Sequence, residues 1–168
     1  KNYLFYVTKL GTVKRTRLDQ FELIRQTGKI AITLREGDEL VDVKKTTGDL
    51  LIGIGASNGK MVKFKESDVR SMGRTAAGVK GITLEEGEYV VGVTTSSEGN
   101  YVLSLSSRGF GKMTKADEYR LTKRGAKGVI TMNVGGKNGD LVGLVAVNGE
   151  EDLMIITEEG TIIRFSLT

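Results

Sequence analysis

The sequence predicts an all-β, propeller-like architecture of four-stranded blades recurring about every 50 residues, a period typical of bladed repeat arrays. Three observations predict it. Glycine supplies 23 of 168 residues and proline 0, so tight turns are abundant and nothing interrupts a β ladder. Asn58-Gly59, Asn138-Gly139 and Asn148-Gly149 sit between apolar stretches, as does Glu159-Gly160, and Asn-Gly in that setting signals a hairpin because both residues accept positive φ. Finally, an apolar strand, a turn and a basic strand return in the same order along the whole chain.

The apolar strands are Tyr3-Leu4-Phe5-Tyr6-Val7, Leu50-Leu51-Ile52-Gly53-Ile54, Tyr101-Val102-Leu103-Ser104-Leu105 and Leu153-Met154-Ile155-Ile156. The basic strands after them contain Gly11-Thr12-Val13-Lys14-Arg15, Gly59-Lys60-Met61-Val62-Lys63-Phe64, Gly109-Phe110-Gly111-Lys112-Met113 and Gly160-Thr161-Ile162-Ile163-Arg164-Phe165. With Lys14, Lys63, Lys112 and Arg164 as markers, the spacings are 49, 49 and 52. A further element recurs at Gly37-Asp38-Glu39-Leu40-Val41, Gly87-Glu88-Tyr89-Val90-Val91 and Gly139-Asp140-Leu141-Val142. These fix repeats at about 3–49, 50–100 and 101–152 and a partial fourth at 153–168, within one domain or fragment spanning 1–168. Leu18, Phe21 and Ile24 share a helical face and Ser67-Asp68-Val69-Arg70 suits a helical turn, but neither is long enough to displace the hairpin pattern.

Composition removes most catalytic chemistry. With Cys 0 and His 0, there is no disulfide, thiolate nucleophile, imidazole base or Cys/His zinc site, and the sequence predicts no catalytic residue, metal or cofactor. Tyr3, Tyr6, Tyr89 and Tyr101 fall in strands, and Asp38, Glu39, Glu85 and Glu86 in acidic turns. Gly53-Ile54-Gly55-Ala56-Ser57-Asn58-Gly59 departs from the spacing of a dinucleotide loop and no helix follows it. Apolar runs such as Tyr3 to Val7 fall far short of the roughly 20 residues of a membrane span, so no membrane partner is expected. The chain begins at Lys1 without a signal-peptide pattern, reads as a piece of a longer protein, and by its lack of cysteine fits the cytoplasm.

The net charge of +4 is unevenly distributed. From Lys9 to Lys29 six basic residues (Lys9, Lys14, Arg15, Arg17, Arg25, Lys29) face two acidic ones (Asp19, Glu22). Between Lys60 and Lys80 the six are Lys60, Lys63, Lys65, Arg70, Arg74 and Lys80, against Glu66 and Asp68. Lys112 to Gly128 repeats the ratio, with Lys112, Lys115, Arg120, Lys123, Arg124 and Lys127 against Asp117 and Glu118. Each window is net +4 and the remainder of the chain is net −8. Equivalent positions in a repeat array fall on one face, so the windows predict a continuous basic stripe, the footprint of a polyanion track. With Trp 0 and few aromatics outside apolar strands, the track suits duplex backbone better than stacked single-strand bases. Phosphate contacts carry no sequence information, so the binding is non-sequence-specific.

The strand contributors are Lys14, Arg15, Arg17, Lys63, Lys65, Lys112 and Lys115, and the loop contributors Arg70, Arg74, Lys80, Arg120, Lys123, Arg124 and Lys127. Gly78, Gly81, Gly125 and Gly128 punctuate the loops Gly73-Arg74-Thr75-Ala76-Ala77-Gly78-Val79-Lys80-Gly81 and Lys123-Arg124-Gly125-Ala126-Lys127-Gly128, where positive-φ glycines can aim N–H groups at a phosphate.

Those loops, together with Phe64-Lys65-Glu66-Ser67-Asp68-Val69-Arg70-Ser71-Met72-Gly73-Arg74, Gly78-Val79-Lys80-Gly81-Ile82 and Gly109-Phe110-Gly111-Lys112, resemble the C-terminal domain of the A subunit of bacterial DNA gyrase. The related domain of the topoisomerase IV A subunit is the close alternative. The resemblance implies a β-pinwheel, a propeller relative whose neighbouring blades exchange a strand, that bends and wraps double-stranded DNA around a basic outer rim in support of negative supercoiling. It implies as partners the gyrase B subunit together with the remainder of the gyrase A subunit, in a bacterial, nucleoid-associated setting. The domain is then an accessory of an ATP-dependent type IIA topoisomerase, not an enzyme by itself, and needs no cofactor; the DNA-cleaving tyrosine belongs to another domain. The family signature Gln-Arg-Arg-Gly-Gly-Lys-Gly is retained here only at Arg124, Gly125, Lys127 and Gly128, which places a full signature in a blade outside this chain. Ala126 is strained if its position needs positive φ. A kelch-like protein-interaction propeller shares the ~50-residue period, but its double glycine occurs once, at Gly135-Gly136, and a protein partner does not account for three equal charge windows.

Overall fold

The computed structural model describes residues 2–21, 34–148, 152–156 and 162–166. Strands form where aromatic and β-branched residues cluster, and glycines in the left-handed region close their hairpins. β1 (Tyr3–Thr8) turns through Gly11, at φ 93°, into β2 (Thr12–Arg17). β3 (Leu40–Thr46) then pairs on the other side of β1, and β4 (Leu51–Ala56) turns through Gly59, at φ 84°, into β5 (Lys60–Lys65). There follow β6 (Val79–Lys80), β7 (Val90–Thr95), the hairpin of β8 (Tyr101–Ser106) and β9 (Gly111–Lys115), β10 (Val129–Ile130) and β11 (Leu141–Val147). β12 (Asp152–Ile156) and β13 (Ile162–Ser166) make a last antiparallel pair. Helical structure among the described residues is confined to 3-10 turns at Leu18–Phe21, Glu66–Asp68, Ala116–Glu118 and Gly136–Asn138. The short helical segments read from the sequence are thus turns, and Ile24 lies outside the described residues.

The sheets run β3-β1-β2-β6, β10-β5-β4-β7, β11-β8-β9 and β12-β13. The outer strand of each of the first two sheets comes from beyond the next hairpin: Val79 and Lys80 pair with Val13 and Thr12, and Val129 and Ile130 with Met61 and Lys60. This is the strand exchange of a β-pinwheel. A blade's fourth strand is therefore two residues long and borrowed. The ladder between each blade's first and inner strands also slips at one place per sheet, at Val7/Thr8, Gly55/Ala56 and Leu141/Gly143, and such bulges add twist.

Turn chemistry matches the sequence in part. Asn58-Gly59 does close a hairpin, whereas Asn138-Gly139 ends a 3-10 turn and leads into β11. Gly149 and Glu159-Gly160 lie outside the described residues. The main core spans the first two blades, with Phe5, Val7, Val13, Ile52, Ile54, Val62 and Phe64 at its centre. Met61, Val102, Tyr119 and Leu144 join the second blade to the third. Among the described residues no helix is long and apolar enough to cross a membrane.

Candidate nucleic-acid interface

Which cations share a face depends on register, and the hairpin turns set it. The N–H groups of Gly11, Gly59 and Gly109 donate to the carbonyls of Thr8, Ala56 and Ser106 at 3.1, 3.0 and 3.1 Å, and the matching strand pairs are Val7 with Val13, Gly55 with Met61 and Leu105 with Gly111. Counting from those pairs, Arg15, Lys63 and Met113 are equivalent, as are Lys14, Val62 and Lys112, and likewise Arg17, Lys65 and Lys115. By the same count, from Ile156 opposite Ile162, Arg164 falls in register with Arg15 and Lys63. The markers Lys14, Lys63 and Lys112 are therefore not one row. Lys63 is a residue out of step with the other two, and a one-residue slip moves a strand side chain to the opposite face.

The inward members hold blades together. Lys14 is fully buried, its Nζ donating to the Arg74 carbonyl and lying 5.5 Å from the Tyr6 ring centre. Burial, with the Arg74 charge second, lowers its pKa to about 8. Arg15 is 8% exposed, donates from Nε to the Val69 carbonyl at 2.9 Å and stacks 4.3 Å from the Tyr3 ring centre. Its Nη1 lies 3.5 Å from Oε2 of the fully buried Glu66, whose Oε1 accepts the N–H groups of Gly48 and Leu50 at 2.8 Å each. At the equivalent position Lys63 reaches the next junction, donating to the Ala116 and Tyr119 carbonyls at 2.8 and 3.4 Å. Burial lowers the Lys63 pKa, and Asp117 opposes that.

The buried amine makes stability depend on pH with a definite sign. Below pH 8 Lys14 carries its proton in both states, and between about 8 and 10.5 the unfolded chain holds more of it than the folded chain. Stability therefore rises with pH through that window. Urea midpoints at about pH 7.5 and about pH 9.5 are expected to increase for the parent chain and to change less for Lys14→Met, which has no amine to desolvate. The Tyr6 phenol, raised by burial, opposes the trend only above its ordinary value of 10.0.

The outward members lie on the outer edges. Arg17, Lys65 and Lys115 occupy one register position on successive blades and are all exposed; Arg17 also pairs with Asp19 at 2.5 Å. Arg70 and Arg120 follow matching 3-10 turns, closed by the N–H groups of Val69 and Tyr119 on the Glu66 and Ala116 carbonyls, and both are exposed. The chain then folds back along the preceding blade: the Met72 N–H donates to the Arg15 carbonyl at 2.7 Å and the Thr122 N–H to the Lys63 carbonyl at 2.8 Å. The first blade's outer edge thus carries Arg17, Arg70 and Lys80, and the second blade's carries Lys65, Arg120, Lys123 and Lys127. Lys112 stands exposed on β9. Arg74 and Arg124 are half-buried, and Arg124 ties the loop down by donating to the Asp68 and Lys80 carbonyls at 3.2 and 3.0 Å. Arg25 and Lys29 lie outside the described residues.

The loop glycines serve the strand exchange. At Gly78 (φ 97°) and Gly128 (φ 91°) a Cβ would stand 2.4 Å from the Val13 carbonyl oxygen and 2.7 Å from that of Met61. At Gly81 it would meet Val13 Cγ1 at 2.3 Å. Gly125 (φ 86°) has its N–H committed to the Gly81 carbonyl at 2.7 Å. Ala126 is unstrained, since no described residue other than glycine has positive φ. Glu66 is the residue to which sequence reading gave no role. The turn-to-turn count aligns it with Leu18 and Ala116, and its contact with Arg15 is made by packing between blades, which no local count shows.

The model of the family "DNA gyrase C-terminal domain, beta-propeller" matches residues 2–47, 54–97, 100–148 and 151–168. The chain is 54% identical over 164 residues to the A subunit of DNA gyrase from Ureaplasma parvum, covering 98% of this chain and 20% of that protein. It is 47% identical over 169 residues to the same subunit from Staphylococcus epidermidis, covering 99% and 19%. The chain thus spans about a fifth of the curated relatives it matches. Among solved structures, the C-terminal domain of a DNA topoisomerase IV superposes with a TM-score of 0.90 at 28% identity, over 99% of this chain and 52% of that one. A DNA gyrase A C-terminal domain gives 0.86 at 26% identity, over 99% and 56%.

Proposed function

The chain belongs to the family of DNA gyrase C-terminal domains, and from that premise we propose that it binds duplex DNA without sequence preference and bends or wraps it along the outer strands of successive blades. The observation that carries this reading is the register-matched row Arg17, Lys65 and Lys115, flanked by exposed cations on the exchanged loops. The predicted set of contacts divides accordingly. Arg17, Lys65, Arg70, Lys80, Lys112, Lys115, Arg120, Lys123 and Lys127 meet phosphates. Lys14, Arg15, Lys63 and Arg124 hold the backbone that presents them, Lys14 by donating to the Arg74 carbonyl, and Gly78, Gly81, Gly125 and Gly128 let the exchanged segments dock.

Each exposed cation that neutralises a phosphate releases condensed counterion. Bending 20 to 30 base pairs through 40 to 90° costs on the order of 1 to 6 kcal/mol, which contacts on several blades offset. In this reading the chain is a non-catalytic part of a bacterial, cytoplasmic type IIA topoisomerase, works with the gyrase B subunit as well as with the rest of the gyrase A subunit, and supports negative supercoiling. The identity to gyrase A subunits favours gyrase over topoisomerase IV as the parent.

Titration of a duplex of unrelated sequence across salt tests the proposal. A log-log slope of about −5 or steeper is expected for roughly six neutralised phosphates. Replacing Lys65, Arg120, Lys123 and Lys127 by Gln should make the slope shallower by about one per cation for every sequence alike. Absence of binding at low salt overturns the reading, and loss confined to one sequence contradicts backbone contact.

A further inference from the structure

The two junctions on either side of the second blade are equivalent in register and differ in chemistry. The first is closed by hydrocarbon: Ile54 and Val69 are fully buried, in the cluster that also holds Phe5 and Phe64. Their equivalents at the second junction are Ser104 and Tyr119, since Ile54 pairs with Val62 as Ser104 pairs with Lys112, and Val69 and Tyr119 close matching 3-10 turns. Thr131 stands there in the place of Gly81, one residue after the exchanged strand. Its Oγ1 is 2.8 Å from Ser104 Oγ and also bonds the Tyr119 hydroxyl, and all three side chains are buried. The second junction is also uneven along its length. At one end β11 lies close on the second blade: a Cβ at Gly55 would stand 2.9 Å from Leu144 Cδ2, and one at Gly92 2.8 Å from the Leu144 carbonyl oxygen. At the other end lies an open cleft of about 390 Å³, reaching from Leu51, the ladder partner of Lys65, to Lys115.

We infer that the second junction is a hinge: the third blade swings against a rigid pair formed by the first two, pivoting where Leu144 meets Gly55 and Gly92 and widening or narrowing the cleft. Opening returns the three hydroxyls to water, which replaces their partners, whereas parting the first junction exposes hydrocarbon. Lys63 spans the gap to the Ala116 and Tyr119 carbonyls, is half-buried, and carries its amine on a four-carbon stem that can follow the movement. Its counterpart Arg15 is buried against the Tyr3 ring. The spacing of Lys65 and Lys115 therefore varies, on the μs–ms scale of hinge motions, while that of Arg17 and Lys65 is fixed.

The hinge is a property of the folded chain alone, so its failure would leave the DNA reading untouched. With Cys 0 in the sequence, spin labels can be placed in pairs on Gln20, Asp68 and Glu118, exposed and equivalent residues of the first three 3-10 turns. Electron–electron distance distributions are expected to be at least about twofold wider for Asp68→Cys/Glu118→Cys than for Gln20→Cys/Asp68→Cys. Thr131→Val strands the Ser104 and Tyr119 hydroxyls in the closed form, so it should raise the ratio of long to short distances about tenfold in the first of these pairs and leave the second unchanged. Thr131→Ser keeps the hydroxyl and should restore the parent distribution. Equal widths for the two pairs, no lengthening in Thr131→Val, or a lengthening shared by both pairs overturns the inference. Should Thr131→Val not fold, the widths in the parent background decide alone.

Discussion

Replacing Glu66 by alanine is expected to lower stability by about 3 kcal/mol, the lower end of the range for removing one partner of a buried ion pair. The carboxylate is fully buried and accepts the Gly48 and Leu50 N–H groups, each at 2.8 Å, besides facing Arg15. Its removal strands two backbone donors in the segment that joins the first blade to the second. The effect stays at the lower end because Arg15 keeps the Val69 carbonyl and the Tyr3 ring. Glu66→Gln retains an acceptor for the two N–H groups and should cost less. Adding Arg15→Met to Glu66→Ala should recover part of the loss, since no guanidinium is then left unpaired. Urea unfolding of the parent, Glu66→Ala, Glu66→Gln, Arg15→Met and the double variant checks the order. A double variant as unstable as the sum of its single changes would show that the pair acts through packing rather than charge.

Gly78→Ala is expected to cost about 2–3 kcal/mol, the range for holding a side chain in a sparsely populated backbone region. Its φ is 97° and the new Cβ would lie 2.4 Å from the Val13 carbonyl oxygen, a backbone atom that cannot swing aside. The strain falls on the pairing of β6 with β2, so hydrogen-exchange protection of the Val79 and Lys80 amides should fall further than that of β4. Gly73→Ala is the matched control. Nothing lies within 4 Å of a Cβ there and no positive φ is required, so stability should change by less than about 0.5 kcal/mol. Equal loss of protection throughout the chain would mean that the exchanged strand is no separate unit of opening.

Much of this architecture was legible because it is written in local turn chemistry. Four apolar strands, each followed by a glycine turn and a basic strand, specify hairpins, and their recurrence specifies blades. The exchange of β6 and β10 was not readable from spacing, because two-residue strands carry no periodicity; the family resemblance supplied it. The row of cations was mislocated for a different reason. Lys14 and Lys63 look equivalent by charge, yet the hairpin turns put Lys63 in step with Arg15, and charge identity is a poorer guide to register than the turn residue. Lys14 illustrates the cost of that: a lysine in a basic window reads as surface, and tertiary packing buries it completely. Glu66 went unassigned because a lone acid after a basic strand looks like solvated charge until the segment 48–50 closes over it.

The borrowed fourth strand also orders assembly in time. As the chain leaves the ribosome, the first blade's β1 and β2 emerge together, but their outer neighbour arrives only with Lys80, paired to Thr12. The same delay separates Met61 from Val129. Each blade therefore waits, with an open ladder, on its successor, and the contact that closes it is long-range and slow relative to the hairpin. Like β13, which pairs with β12 alone, β9 has one ladder neighbour among the described residues, β8. It carries Lys112 and Lys115, charges of the kind that discourage a bare edge from pairing with another chain. Exposed charge on such a strand thus suits the bare edge it presents during synthesis.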